Sequence, residues 1–213
     1  MGAEQPATQP NTVIITAADL DSHGYYNITT LEAQGDIEIA SNLGLVRFRG
    51  SVVAKGGIRI SAGSSISAGE GISAGSSISA GSSISAGEGI SAGSGIFAGS
   101  SISAGEGISA GEGISAGWGI SAGEGISAGE GISAGEGISA GDGISAGWGI
   151  SAGWGISAGE GISCKTVLKV RLQVLAGASV RIMPTDQQQE IRCRRLEGGA
   201  IVALGRLIES NPA

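Results

Sequence analysis

Eighteen isoleucines recur at every sixth position from Ile60 to Ile162, each opening a unit that reads Ile-Ser-Ala-Gly-x-Gly or Ile-Ser-Ala-Gly-x-Ser. Departures are few: Arg59 just ahead of the array, Phe97 in place of Ser, and Cys164 in place of Ala. A short period held this long is the mark of a solenoid, in which one small unit stacks on its neighbours. With 41 glycines and 3% aromatic residues the chain lacks the bulk for an ordinary globular core. Such composition usually marks disorder. The regular isoleucines argue against it, because a stacked turn can bury one per unit.

Ile and Ala stand two apart, so in a strand both face one side while Ser faces the other. The next residue, Gly, admits the backbone angles of a corner. Position x accepts Glu, Ser, Asp and Trp alike, so it is expected to project into solvent. Each unit reads as a three-residue strand and a corner, stacked in parallel at about 4.8 Å.

The x residues fix the number of units per turn. Every third one is acidic: Glu70, Glu88, Glu106, Glu124, Asp142 and Glu160. The residue after each is always Gly. The other two columns are mixed: Ser64, Ser82, Ser100, Trp118, Glu136 and Trp154 in one, Ser76, Ser94, Glu112, Glu130 and Trp148 in the other. The repeat is therefore 18 residues. The expected fold is all-β, a single-stranded three-sided parallel β-helix with about 18 residues per turn and short terminal caps.

The inward pattern continues past the array. Leu168, Val174 and Val180 extend the Ile positions, and Val170, Ala176 and Ile182 the Ala positions. Upstream, Leu31, Ile37 and Leu43 pair with Ala33, Ile39 and Leu45 in a frame shifted by one residue, and Phe48 and Ala54 enter the main frame. The expected division is a tail and cap over 1–30, a β-helix over 31–182 with its regular array at 58–163, and a C-terminal cap over 183–213. That gives roughly eight turns and about 40 Å. Gln5 to Asn11 is expected to be floppy, with a cap running from Val13 to Tyr26.

Little in the chain suggests catalysis. His23, the one histidine, lies outside the repeats, and two cysteines with one histidine do not compose a zinc site. Hexapeptide-repeat acyltransferases place a small residue two before the aliphatic one; here Ala follows Ile by two, which reverses the order. A ladder of lone glutamates is a poor calcium site, because that ion takes six to eight oxygens. Nothing distinguishes two carboxylates of the ladder as a glycosidase pair, and no Gly-Lys-Ser/Thr closes a phosphate loop. Ice binding is disfavoured by the absence of threonine from the array. The expectation is no catalytic residue, no metal and no cofactor.

No apolar run is long enough for a membrane helix. MGAEQPATQP lacks the basic and apolar regions of a secretory signal and does not complete a myristoylation pattern. An intracellular protein with reduced, inert thiols is expected.

The net charge of −7 is unevenly spread. Residues 58–163 carry nine acids and one base, Arg59, whereas the segment from Cys164 onward carries eight bases and four acids. Stacked like charges repel, so a sustained acidic edge is either a solubilising surface or a binding one. Glu70, Glu88, Glu106, Glu124, Asp142 and Glu160 are the candidate acidic contact residues. Trp118, Trp148 and Trp154 are the candidate aromatic ones, because exposed Trp is enriched at binding hot spots. They would meet a protein partner or a second copy of the chain.

The run of x-Gly-Ile-x-Ala-Gly units with Trp or Glu at x, closed by Ile191-Arg192-Cys193-Arg194-Arg195-Leu196-Glu197-Gly198-Gly199, resembles small hexapeptide-repeat proteins of bacteriophages and mobile elements. The resemblance covers about two thirds of the chain. It implies a cytoplasmic protein of an infected bacterial host that inhibits a defence complex in the manner of anti-CRISPR proteins, by occupying a basic nucleic-acid-binding groove without binding nucleic acid or membrane itself. The runner-up is a structural element, a virion or filament component assembling through its ends.

Overall fold

The computed structural model describes residues 12–177 and 185–210. Val180 and Ile182, Gln5 to Asn11, and Arg181 lie outside the described residues. The chain winds as a parallel three-sided solenoid of about ten turns, almost all of it strand. One sheet has ten strands, from Thr12–Ile15 through Asp36–Ile39 to Arg195–Glu197. A second has nine, from Gly44–Phe48 to Ile201–Leu204, and a third has ten, from Leu31–Ala33 to Arg206–Glu209. Three hexads complete one turn, and Ile84, Ser85 and Ala86 sit over Ile102, Ser103 and Ala104 in register.

The core follows from the period-two pattern. From Ile66 to Ile162 every repeat isoleucine is at most 2% exposed, and the paired alanines at most 8%. Each turn thus buries three Ile side chains, about 1.5–3 kcal/mol apiece, and three Ala methyls at smaller gain. Cys164 takes an Ala position and is buried. Leu168, Val170, Val174 and Ala176 continue the core as the pattern predicts, and Ile191 and Cys193 take it up in the next strand, one turn above Ile162.

The two glycines of the unit serve different ends. A Cβ on Gly123, which follows Ala122, would lie 1.9 Å from the carbonyl oxygen of Gly105 one turn earlier. The same overlap recurs all along that column, so the corner needs Gly because two turns pass too closely for a side chain, not for unusual torsion angles. At Gly119, after position x, the nearest atom is 3.5 Å away. Ser83 and Ser101 occupy that same column.

The early turns depart from the expected frame. Leu31 pairs with Val52 and Val46 with Ile66, spacings of 21 and 20 residues in place of 18. The additional residues form a stacked bulge in which Asn42 and Gly44 adopt positive φ on one turn and Gly63 on the next. In consequence Leu45 is exposed and Leu43 half-buried, and Val46 and Phe48 fill the core in their place. Ile58 and Ile60 become the two inward residues of one strand, so Ile60 stands where Ala stands elsewhere and Ala62 is exposed. Ser64, expected in solvent, is fully buried; its hydroxyl donates to the Ala40 carbonyl at 2.7 Å and accepts from the Leu43 amide at 3.0 Å.

Both ends join the coil. Thr12–Ile15 pairs with Asp36–Ile39, adding a strand to the first sheet. The turn at 21–26 then covers the open edge of Gly44–Phe48: the Tyr26 amide donates to the Arg47 carbonyl at 2.9 Å, and the Arg47 amide to Gly24 at 2.8 Å. Arg49 lies over the Tyr25 ring, 4.8 Å from its centroid, and Tyr26 packs on Phe48. At the other end the four strands after residue 189 extend the same three sheets. The coil is therefore longer than the eight turns expected, because unpaired backbone at either end is satisfied by further strands. No helix among the described residues is long and apolar enough to cross a membrane.

Candidate binding surfaces

The corners of the solenoid carry the x residues, and each column is stitched by main-chain bonds from one turn to the next. In the acidic column Glu88 donates its amide to the Glu70 carbonyl at 3.3 Å, Glu106 to Glu88 at 3.3 Å, Glu124 to Glu106 at 3.2 Å, Asp142 to Glu124 at 3.3 Å and Glu160 to Asp142 at 3.2 Å. The six acids therefore occupy consecutive turns on one corner. Glu88, Glu106, Glu124 and Asp142 are exposed. Glu70 accepts a hydrogen bond from Ser51 Oγ at 2.6 Å, and Glu160 is half-buried. Ion pairs between two described residues join Arg59 with Glu38, Arg195 with Glu197, and Arg192 and Arg206 with the buried Glu190.

Beside this column the glycines that follow each acid leave the strand face hollow. The result is a groove of about 1130 Å3 along the third sheet, with Glu88 on its rim, the outward serines from Ser73 to Ser163 along its floor, and Gln187 and Arg192 at its far end.

A second corner carries the tryptophans. Trp118 and Trp154 are two turns apart with Glu136 between them: the Glu136 amide donates to Trp118 at 2.8 Å and the Trp154 amide to Glu136 at 2.8 Å. The column does not stop there. Leu172 bonds to Trp154 and Ile201 to Leu172, both at 2.9 Å. Trp118 and Trp154 are each 61% exposed, Leu172 60% and Ile201 71%. Sequence reasoning found the tryptophans and missed Leu172, which the 18-residue period places next in the column but which follows the last perfect repeat, and Ile201, which only the turn-to-turn bonds assign to it. Trp148, 65% exposed, stands on the third corner above Glu130.

The chemistry-bearing side chains elsewhere lie apart from these corners. His23 is on the exposed turn at 21–26, with its ring against the Ser22 hydroxyl. Cys164 and Cys193 are inward-facing on adjacent strands of the third sheet. Burial, and then the neighbouring Cys193, push the Cys164 thiol up to about 11, so it stays protonated and unreactive. No group of three or more His, Cys, Asp or Glu side chains that could hold a metal ion occurs among the described residues. Compared with protein-family models, with curated proteins and with solved structures, the chain matches none.

Proposed function

We propose that this protein is a non-enzymatic binding rod whose acidic corner enters a basic groove of a nucleic-acid-binding protein. The observation that carries the reading is the placement of Glu88, Glu106, Glu124 and Asp142 on consecutive turns, exposed and outside every ion pair described above. The fold does not ask for them. Ser82 and Ser100 occupy the same corner position in another column, whereas directly stacked like charges are destabilising. Carboxylates repeated at about 4.8 Å form a linear array on the scale of a nucleic-acid strand, whose charges recur at about 3.4 Å along a duplex. The hydrogen-bonded corner holds them in a line without the conformational cost a flexible acidic tail would meet on binding.

The specific form of the proposal is the one the sequence resemblance implies: a phage-borne inhibitor of a bacterial defence complex. The same array would serve any protein with a comparable basic channel. The test is affinity capture from bacterial lysate on immobilised wild-type protein and on a Glu88→Gln, Glu106→Gln, Glu124→Gln variant. The expected result is capture of a nucleic-acid-binding protein that added single-stranded DNA releases and that the variant loses. Equal capture by wild type and variant removes the acidic corner from the reading.

A further inference from the structure

The ridge Trp118–Glu136–Trp154–Leu172–Ile201 lies on a different corner from the acidic column, and competition for a nucleic-acid groove does not call on it. Four of its five residues are large, apolar and mostly exposed, on turns that follow one another directly. Monomeric proteins rarely leave a continuous apolar ridge in water. Each tryptophan carries about 150–250 Å2 of surface. With Leu172 and Ile201 the ridge supplies much of the roughly 800 Å2 that each partner contributes to a stable interface.

We propose that the ridge is the interface of an antiparallel homodimer, with a two-fold axis passing through Trp154. The column's own order selects this arrangement. Rotation about Trp154 sets Trp154 against its copy, Trp118 against Ile201 of the second copy, and Glu136 against Leu172 of the second copy. Trp154, Trp118 and Ile201 then meet apolar residues, and Leu172 lies on the methylene stem of Glu136. Arg171 directly precedes Leu172, is exposed, and makes no ion pair among the described residues. In this arrangement it reaches Glu136 of the other copy, and the two-fold repeats the pair. A parallel dimer, or an axis through Glu136, would instead press Glu136 on its own copy, and the latter would leave Leu172 and Ile201 uncovered.

The charge distribution favours the same geometry. The array from residue 58 to 163 holds nine acids and one base, and the segment from 164 onward eight bases and four acids. Six of those acids form the column on another corner, so what the antiparallel register gains is the placement of Glu136 along the basic end of the other rod, where a parallel one would set it beside its own copy. The acidic column faces away on its own corner, so the dimer presents two such columns.

Sedimentation equilibrium on the full chain, with far-UV circular dichroism to verify folding, tests the proposal. Wild type is expected to be a dimer, and Trp154→Ala to weaken it about thirtyfold, as loss of a central hot-spot residue does. Glu136→Arg and Arg171→Glu should each weaken the dimer, and the double variant Glu136→Arg, Arg171→Glu should restore it. A monomeric wild type overturns the proposal, as does a dimer indifferent to Trp154→Ala or one that the double reversal fails to rescue. The Glu88→Gln, Glu106→Gln, Glu124→Gln variant should dimerise as wild type does, so loss of partner capture and loss of dimer are separate readings.

Discussion

The backbone amide of Glu106 donates to the carbonyl of Glu88 at 3.3 Å, so two carboxylates separated by three hexads of sequence are nearest neighbours on one corner. Both are exposed, and the stack continues to Glu124 and Asp142. Directly opposed like charges cost roughly 0.2–1 kcal/mol per pair. Replacing Glu106 by Ser removes two such contacts and leaves the backbone bonds intact. Glu106→Ser is expected to raise the thermal midpoint at low ionic strength, with the gain shrinking as salt screens the remaining acids. Calorimetry at low and high salt checks both parts, and a lowered midpoint at low salt would show that the carboxylates contribute a stabilising contact.

The glycine columns give a paired test. Gly123→Ala places a methyl 1.9 Å from the Gly105 carbonyl oxygen, and such overpacking typically costs about 1–3 kcal/mol. Gly119→Ser enters a column that already holds Ser83 and Ser101, with 3.5 Å to the nearest atom, and should change stability by less than about 0.5 kcal/mol. Urea unfolding of the two variants should separate them clearly.

The bulge at residues 42–44 and 63 predicts opposite outcomes for two alanines that the repeat makes look equivalent. Ala62 is exposed and Ala68 is 3% exposed. Ala62→Glu should leave the unfolding transition nearly unchanged. Ala68→Glu buries an unpaired charge, which costs several kcal/mol, and should abolish or strongly lower the transition. Equal effects would mean that the array keeps a uniform six-residue frame through Ile60.

Cys164 supplies a pH signature. Its thiol ionises near the ordinary 9.0 when the chain is unfolded and near about 11 in the folded core. The folded state holds the proton more tightly, so this contribution to stability is fully present below pH 9 and is lost as pH rises through about 11. Unfolding midpoints should fall across that interval, and fall less in Cys164→Ala, which restores the residue the other turns use. Native Cys164 should also resist alkylation at pH 8 until the protein is unfolded; rapid native alkylation would show that the core opens there.

The array was legible because its physics is local and repetitive. One residue in six buried, its partner two positions on, and an acid at every third unit specify strand, corner and three-sided turn without any long-range information. The same logic failed between Leu43 and Ser64, where two insertions shift the frame and only a positive-φ bulge makes room for them. It also gave the right residue for a different reason at the corner glycines, whose constraint is a carbonyl one turn away.

The sequence by itself determined the period, the inward set and the three columns of corner residues, since these follow from side-chain alternation and from which positions tolerate charge. Tertiary structure decided what each column becomes. Leu172 keeps the 18-residue spacing from Trp154, but Ile201 joins the column only when a longer turn is laid on a regular one, because parallel strands bond by position along the coil, and distance along the chain does not enter.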